Sequence, residues 1–106
     1  MMTPAERERL IMLIEECGEV VHAASKCLRH GFDNHHPTTA HLLNREALGR
    51  EVGDLLGIAG EMIERKDLSI ATVNQSALTK WERAHRFTYH QRPLKDKNHD
   101  QKPHAF

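Results

Sequence analysis

Residues 12–27 read Met-Leu-Ile-Glu-Glu-Cys-Gly-Glu-Val-Val-His-Ala-Ala-Ser-Lys-Cys. The apolar residues in this run recur every three or four positions, the period of an amphipathic helix. At about 100° per residue, Glu16 projects in nearly the same direction as Met12, Val20, Ala23 and Cys27. A carboxylate in the middle of an apolar stripe is costly unless it is paired, protonated or bound to a metal. Residues 47–62 repeat the device: Glu51-Val52-Gly53-Asp54 places Glu51 among Ala47, Leu48, Leu55, Ile58 and Met62. In each motif two acids stand three residues apart, Glu16 with Glu19 and Glu51 with Asp54, so they are neighbours on one helical face. Two such helices packed face to face gather four acidic side chains, whose mutual repulsion calls for a counter-ion. The expectation is a site for a hard divalent cation, Mg²⁺ above all, held by Glu16, Glu19, Glu51 and Asp54. Glu15 points away from the stripe and reads as surface, as do Glu6, Glu8, Glu61 and Glu64 on polar arcs or near helix ends.

The rest of the chain supports helices around these motifs. Thr3 is an N-cap residue with Pro4 at the first helical position and Glu6 three residues on, a capping box that opens the first helix. Leu10, Leu13, Ile14, Cys17, Val20, Val21, Ala24 and Leu28 keep its period, and Gly31 is its stop. Gly31 to Thr39 forms a loop longer than a tight helical hairpin needs. The second helix is expected from about His41 to Arg65. Its glycines at 49, 53, 57 and 60 each cost about 1 kcal/mol relative to alanine, which points to close helix–helix approach or to a kink. A third helix begins at the N-cap candidate Ser69 and carries Ile70, Val73, Ala77, Trp81 and Ala84, flanked by Lys80, Arg83 and Arg86. No strand-period segment appears. The fold expected is all-α, three main helices over residues 1–92 with a four-helix-type core completed by oligomerisation, followed by a polar, flexible tail over 93–106.

Composition narrows the function classes. The 106 residues carry a formal charge of zero with histidine neutral, which gives no electrostatic argument for nucleic acid or an anionic membrane. Nine histidines make that balance sensitive to acidification. No apolar run approaches the roughly 20 residues that span a bilayer, and the charged, acid-containing N-terminus is unlike a signal peptide. Cys17 and Cys27 sit about 15 Å apart along one helix, too far for a disulfide, and read as small core residues of a cytoplasmic protein.

These residues resemble the MazG-like, all-α nucleoside triphosphate pyrophosphohydrolases, whose signature is Glu-Glu-x-x-Glu on one helix and Glu-x-x-Asp on the next. The match here is Glu15-Glu16-x-x-Glu19 and Glu51-x-x-Asp54, with similarity also in Lys26-x-x-Arg29-x-Gly31, in Asn44-Arg45-Glu46 and in the later Lys80, Arg83 and Arg86. The interval between the two motifs is long, and few aromatics are present to stack a base. The resemblance implies that Glu16, Glu19, Glu51 and Asp54 hold Mg²⁺, with Mn²⁺ as a substitute, and that a nucleoside triphosphate is the substrate. Glu19, and less strongly Glu15, would take the proton of the attacking water. Lys80 and Arg83 would neutralise phosphates or stabilise the leaving pyrophosphate, as would Lys26 and Arg29 from the end of the first helix. Asn44 lies in the direction of Glu51 and would read the base or sugar. A homodimer is the minimum assembly for the helical surface present, and a dimer of dimers is what the resemblance suggests.

Three other readings compete. A di-iron carboxylate bundle needs Glu-x-x-His motifs on two helices, and Glu19…His22 with Glu82…His85 fit the spacing. His22, however, points about 120° away from Glu16. A zinc site built from His30, His35, His36 and His41 lacks conventional companion spacing. A non-catalytic helical interaction module with a structural cation would bind Mg²⁺ without turnover.

Overall fold

The computed structural model describes residues 1–91. They form α1 (Pro4–His30), α2 (Asn44–Glu64) and α3 (Ile70–Arg83), followed by a single 3₁₀ turn, Ala84–Phe87. No strand occurs among the described residues, so the fold is all-α. The expected tail over 93–106 lies outside them.

The start of α1 is closed by the capping box that its sequence announces. Thr3 Oγ1 accepts from the Glu6 amide at 3.1 Å, and Glu6 Oε1 accepts from the Thr3 amide at 2.7 Å. Two of the amides that a helix start leaves without partners are thereby satisfied. At the other end Gly31 takes φ 92°, open to glycine alone without strain, and its amide donates to the Cys27 carbonyl. Ser69 caps α3 by accepting from the Thr72 amide at 3.3 Å.

α2 starts three residues later than the pattern around His41 suggests. Leu42 is held in a turn by its amide bond to the Thr39 carbonyl, and Leu43 is extended at φ −69°, ψ 153°. The connecting loop therefore runs from 31 to 43, and its neck is tied. The Asn44 and Arg45 amides donate to the Asn34 and Phe32 carbonyls at 2.8 and 2.9 Å. Asn44 Nδ2 donates to the Gly31 carbonyl at 2.9 Å. Arg45 makes a forked ion pair with Asp33 at 2.7 and 3.1 Å and lies 4.8 Å from the centre of the Phe32 ring. With its ends fastened, the loop is a compact, closed one.

α1 and α2 pack as an antiparallel hairpin. Arg9 near the start of α1 meets Asp67 just beyond α2, while Gly31 at the end of α1 meets Asn44 at the start of α2. The facing residues recur at alternating intervals of three and four: Leu13, Glu16, Val20, Ala23 and Cys27 on α1, and Asn44, Leu48, Glu51, Leu55, Ile58 and Met62 on α2. Such a repeat is the seam of a coiled-coil-like contact, and both helices carry a glutamate in it.

Three expectations need correction. Ile14, Val21 and Leu28 are 69%, 66% and 89% exposed, and Cys17 is exposed as well. They lie roughly 100–160° around the helix from Glu16, on an arc that α2 does not cover. At Gly49, Gly53 and Gly57 the reason for glycine is not close approach within the chain: α2 is unbroken, and a Cβ at any of the three would meet nothing within 4 Å. Finally, α3 buries none of its residues and makes at most marginal contact with the hairpin. The buried apolar core among the described residues is therefore only Ala23, Ile58 and Met62.

One polar clamp closes the far end of the hairpin. Lys66 adopts a left-handed φ of 70°, turning the chain so that the Asp67 amide reaches the Met62 carbonyl. The Asp67 carboxylate then receives both Arg9 Nε and Arg9 Nη2, the second at 3.0 Å. That hydrogen bonding, with the Arg9 charge behind it, holds the Asp67 carboxyl below the usual range. A carboxylate with a depressed folded-state pKa contributes its stability above the unfolded value, near 4, and loses it as pH falls through the folded value. Asp67→Asn should therefore lower the melting temperature by a few degrees at pH 7. Thermal melts at successively lower pH should show the gap to the parent closing below about pH 4.

Candidate metal centre

The hairpin brings Glu16, Glu51 and Asp54 together. One carboxylate oxygen from each lies within 4.8 Å of the other two. Glu16 and Glu51 arrive from the seam itself and are half-buried, while Asp54, one turn on from Glu51, stands at the exposed rim. The Glu16 carboxyl is pushed above its ordinary value, first by burial and then by the charges of Asp54, Glu51, Glu19 and Glu15. The group behaves as an acidic cluster short of positive charge. All three of its ion-pairing neighbourhoods lie elsewhere: the pairs among the described residues are Arg9–Asp67, Arg45–Asp33 and Arg65–Glu61.

A set of hard oxygen donors, crowded by repulsion and open on one side, suits a divalent cation such as Mg²⁺, which takes few protein carboxylates and keeps part of its coordination for other ligands. The donor chemistry fits; the identity of the ion is a separate matter.

The other candidate residues are distributed around this centre. Glu19 stands outside the three-carboxylate group and lines an adjoining cleft of about 100 Å³ with His22, Ala23, Lys26, Asn44, Ala47 and Glu51. Glu15 is exposed. Lys26 and Asn44 also line a larger cavity of about 650 Å³, together with Arg29, His30, Asn34, His35, His36 and Pro37. Asn44 is buried, and its side-chain amide already donates to Gly31, so it fastens the loop as well as facing the cleft. Lys80 and Arg83 occupy the last turn of α3 and line neither of these spaces.

His22 stays outside the three-carboxylate group. Measured from Glu16 it points away, yet it flanks the cleft because the relevant reference is Glu19. Residues 19, 22 and 26 follow one another at helical spacing and share a face, a signal that was present in the sequence. The loop residues Asn34, His35 and His36 carried no such signal, since loop direction is not periodic. His30, His35 and His36 line one cavity, but the metal-competent group among the described residues is the acidic one, which leaves the zinc reading without a geometric basis.

Residues 6–88 match the MazG nucleotide pyrophosphohydrolase domain. The match covers most of the chain and includes both acidic motifs, and the chain belongs to that family. Nucleotide pyrophosphohydrolysis is thus the class of activity, and a nucleotide the class of substrate. No curated protein and no solved structure matches the chain. No helix among the described residues is long and apolar enough to cross a membrane.

Replacing Glu16 by glutamine removes the most strained charge. Metal-free Glu16→Gln should melt a few degrees higher than the parent at pH 7, while losing most of the stabilisation that added Mg²⁺ confers. The sign follows from the raised carboxyl: its penalty is present at pH above the folded pKa and is relieved as pH falls toward the ordinary value of 4.5. Metal-free melts of the parent should show that gain on mild acidification, and melts of the variant should lack it.

Proposed function

We propose that the protein hydrolyses a nucleoside or deoxynucleoside triphosphate to the monophosphate and pyrophosphate, with Mg²⁺ or, in its place, Mn²⁺, in the cytoplasm. The observation that carries this reading is the convergence of Glu16, Glu51 and Asp54 within 4.8 Å, in a chain of the pyrophosphohydrolase family. Glu16, Glu51 and Asp54, joined by Glu19, would hold the cation, which when bound neutralises phosphate charge and lowers the pKa of a coordinated water.

The chain's own residues account for the remaining requirements. Glu19 faces the cleft beside Glu51 and accepts the proton of the attacking water; Glu15, exposed one turn earlier, is the weaker candidate. A bond forms between the water oxygen and phosphorus. The bond from that phosphorus to the oxygen bridging it to the pyrophosphate breaks, with the electron pair leaving on the oxygen. Lys26, which lines the cleft, and Arg29, one turn further on in the adjoining cavity, orient the substrate, and Asn44 contacts its sugar or base. Lys80 and Arg83, on a helix that does not pack on its own hairpin, suit a role on the phosphates of a neighbouring subunit's substrate.

That last assignment needs an assembly, and the helical surfaces support one. Ile11, Ile14, Val21 and Leu28 are all exposed on α1, and with Gly18 and Ser25 they repeat at intervals of three and four. Val52 and Leu56 on α2 are exposed beside glycines with open space above them. A contiguous apolar stripe of this kind marks an interaction surface, and a second copy of the chain is its occupant in a homodimer or a dimer of dimers.

Two measurements test the reading. Pyrophosphate release from a panel of ribo- and deoxynucleoside triphosphates should require Mg²⁺, be abolished by EDTA, and drop by about a hundredfold or more in Glu51→Gln. No release from any nucleotide, with Mg²⁺ still raising the melting temperature, would leave a helical module carrying a structural cation. Sedimentation equilibrium should give a mass of at least two chains, reduced by Val21→Glu, which puts a charge into the stripe. A monomeric parent would remove the subunit-crossing role given to Lys80 and Arg83.

A further inference from the structure

The cavity at the C-terminal end of α1 holds about 650 Å³, a volume typical of small-molecule sites and far larger than a phosphate group requires. It adjoins the carboxylate cleft, and Lys26 and Asn44 line both spaces. A nucleotide whose phosphates lie at Glu16, Glu51 and Asp54 therefore directs its base here.

The walls present a specific set of donors and acceptors. Lys26 and Arg29, one turn apart on α1, can only donate, and neither forms an ion pair among the described residues. Thr38 closes on the His36 ring, its amide 3.2 Å and its Oγ1 2.8 Å from Nδ1. His35 Nδ1 lies 2.9 Å from the His36 carbonyl oxygen. A carbonyl can only accept, so the proton is on Nδ1 and Nε2 is left as an acceptor. Asn44 commits its amide nitrogen to Gly31, leaving its oxygen as a second acceptor. No carboxylate among the described residues lines the cavity.

We infer that this cavity makes the enzyme selective for guanine nucleotides, an inference that rests on the pyrophosphohydrolase reading. Guanine presents two adjacent acceptors, O6 and N7, which arginine or lysine satisfies with paired donors. Adenine sets an amino donor beside N7, and cytosine presents an amino donor in place of O6; opposite Lys26 and Arg29, either leaves donors facing donors. A pyrimidine with a lone O4 satisfies half of the pair. Guanine also carries a 2-amino donor, for which His35 Nε2 and the Asn44 oxygen are the matching acceptors.

The test is calorimetric titration of the full chain, with Mg²⁺, by GMP, AMP, CMP, UMP and 7-deazaguanosine monophosphate, none of which needs turnover. GMP should bind at least about tenfold more tightly than the other three natural monophosphates. The 7-deaza analogue, which lacks the N7 acceptor, should lose most of that advantage. Arg29→Ala should remove the difference between GMP and AMP. Equal binding of the four bases, an undiminished 7-deaza analogue, or a preference that survives both Arg29→Ala and Lys26→Ala overturns the inference. Because the analogue probes the parent protein, the result does not depend on any variant folding. Absence of selectivity in a protein that releases pyrophosphate defeats this inference alone. Guanine selectivity without pyrophosphate release defeats the hydrolase reading and leaves the base site standing, and failure of both defeats both.

Discussion

The structure is organised around like charges held in a helical seam. Glu16 and Glu51 occupy positions where the three–four repeat calls for apolar side chains, and Asp54 joins them at the rim. Burial and mutual repulsion raise the Glu16 carboxyl, so in the metal-free chain the middle of the hairpin opposes its own closure. The hairpin is closed instead from its ends. Arg9 forks onto Asp67 at one end, and the bonds among Gly31, Phe32, Asn34, Asn44 and Arg45 tie the loop neck at the other. Fixing both ends sets the register in which the carboxylates meet. A cation at their centre would turn the largest internal penalty into a link between α1 and α2.

The thin core follows from the same arrangement. A hairpin that devotes seam positions to acids buries little apolar surface, and the buried apolar side chains among the described residues are Ala23, Ile58 and Met62. A chain of this length cannot build its stability on three side chains. On the proposed reading, the uncovered stripe of Ile11, Ile14, Val21 and Leu28, with the open surface at Gly49, Gly53 and Gly57, is where a second copy would complete it. Under that reading α3 stands away from its own hairpin because its packing partner, and the phosphates that Lys80 and Arg83 serve, belong to the neighbouring subunit.

The groove along the hairpin is polar in the electrical sense. It begins at the acidic cluster, passes Glu19 and His22, crosses Lys26 and Asn44, and ends among Arg29, His30, His35 and His36. In the proposed reaction the acidic end handles the phosphates through a cation, and the basic end meets the neutral, acceptor-rich face of a base. On that reading the long loop between the motifs would supply recognition and the helices the chemistry, the usual division between scaffold and variable segment.

The sequence by itself determined what depends on local spacing. The capping residues Thr3, Glu6, Gly31 and Ser69 announced helix ends correctly, because a cap is a bond between residues three or four apart. The meeting of Glu16, Glu51 and Asp54 was also legible, since a carboxylate on an apolar face implies a partner and the only other such face lay on the second helix. Tertiary structure alone decided the rest. Periodicity identifies an apolar arc but not which part of it another helix covers, so the exposure of Cys17, Ile14, Val21 and Leu28 was invisible. Gly49, Gly53 and Gly57 of α2 have a free surface above them, which no propensity scale distinguishes from close approach. Which loop residues line the cavity, His35 and His36 among them, depends on how α1, α2 and the tied loop converge. Directions taken by a loop have no period in the sequence, and only the packed chain sets them.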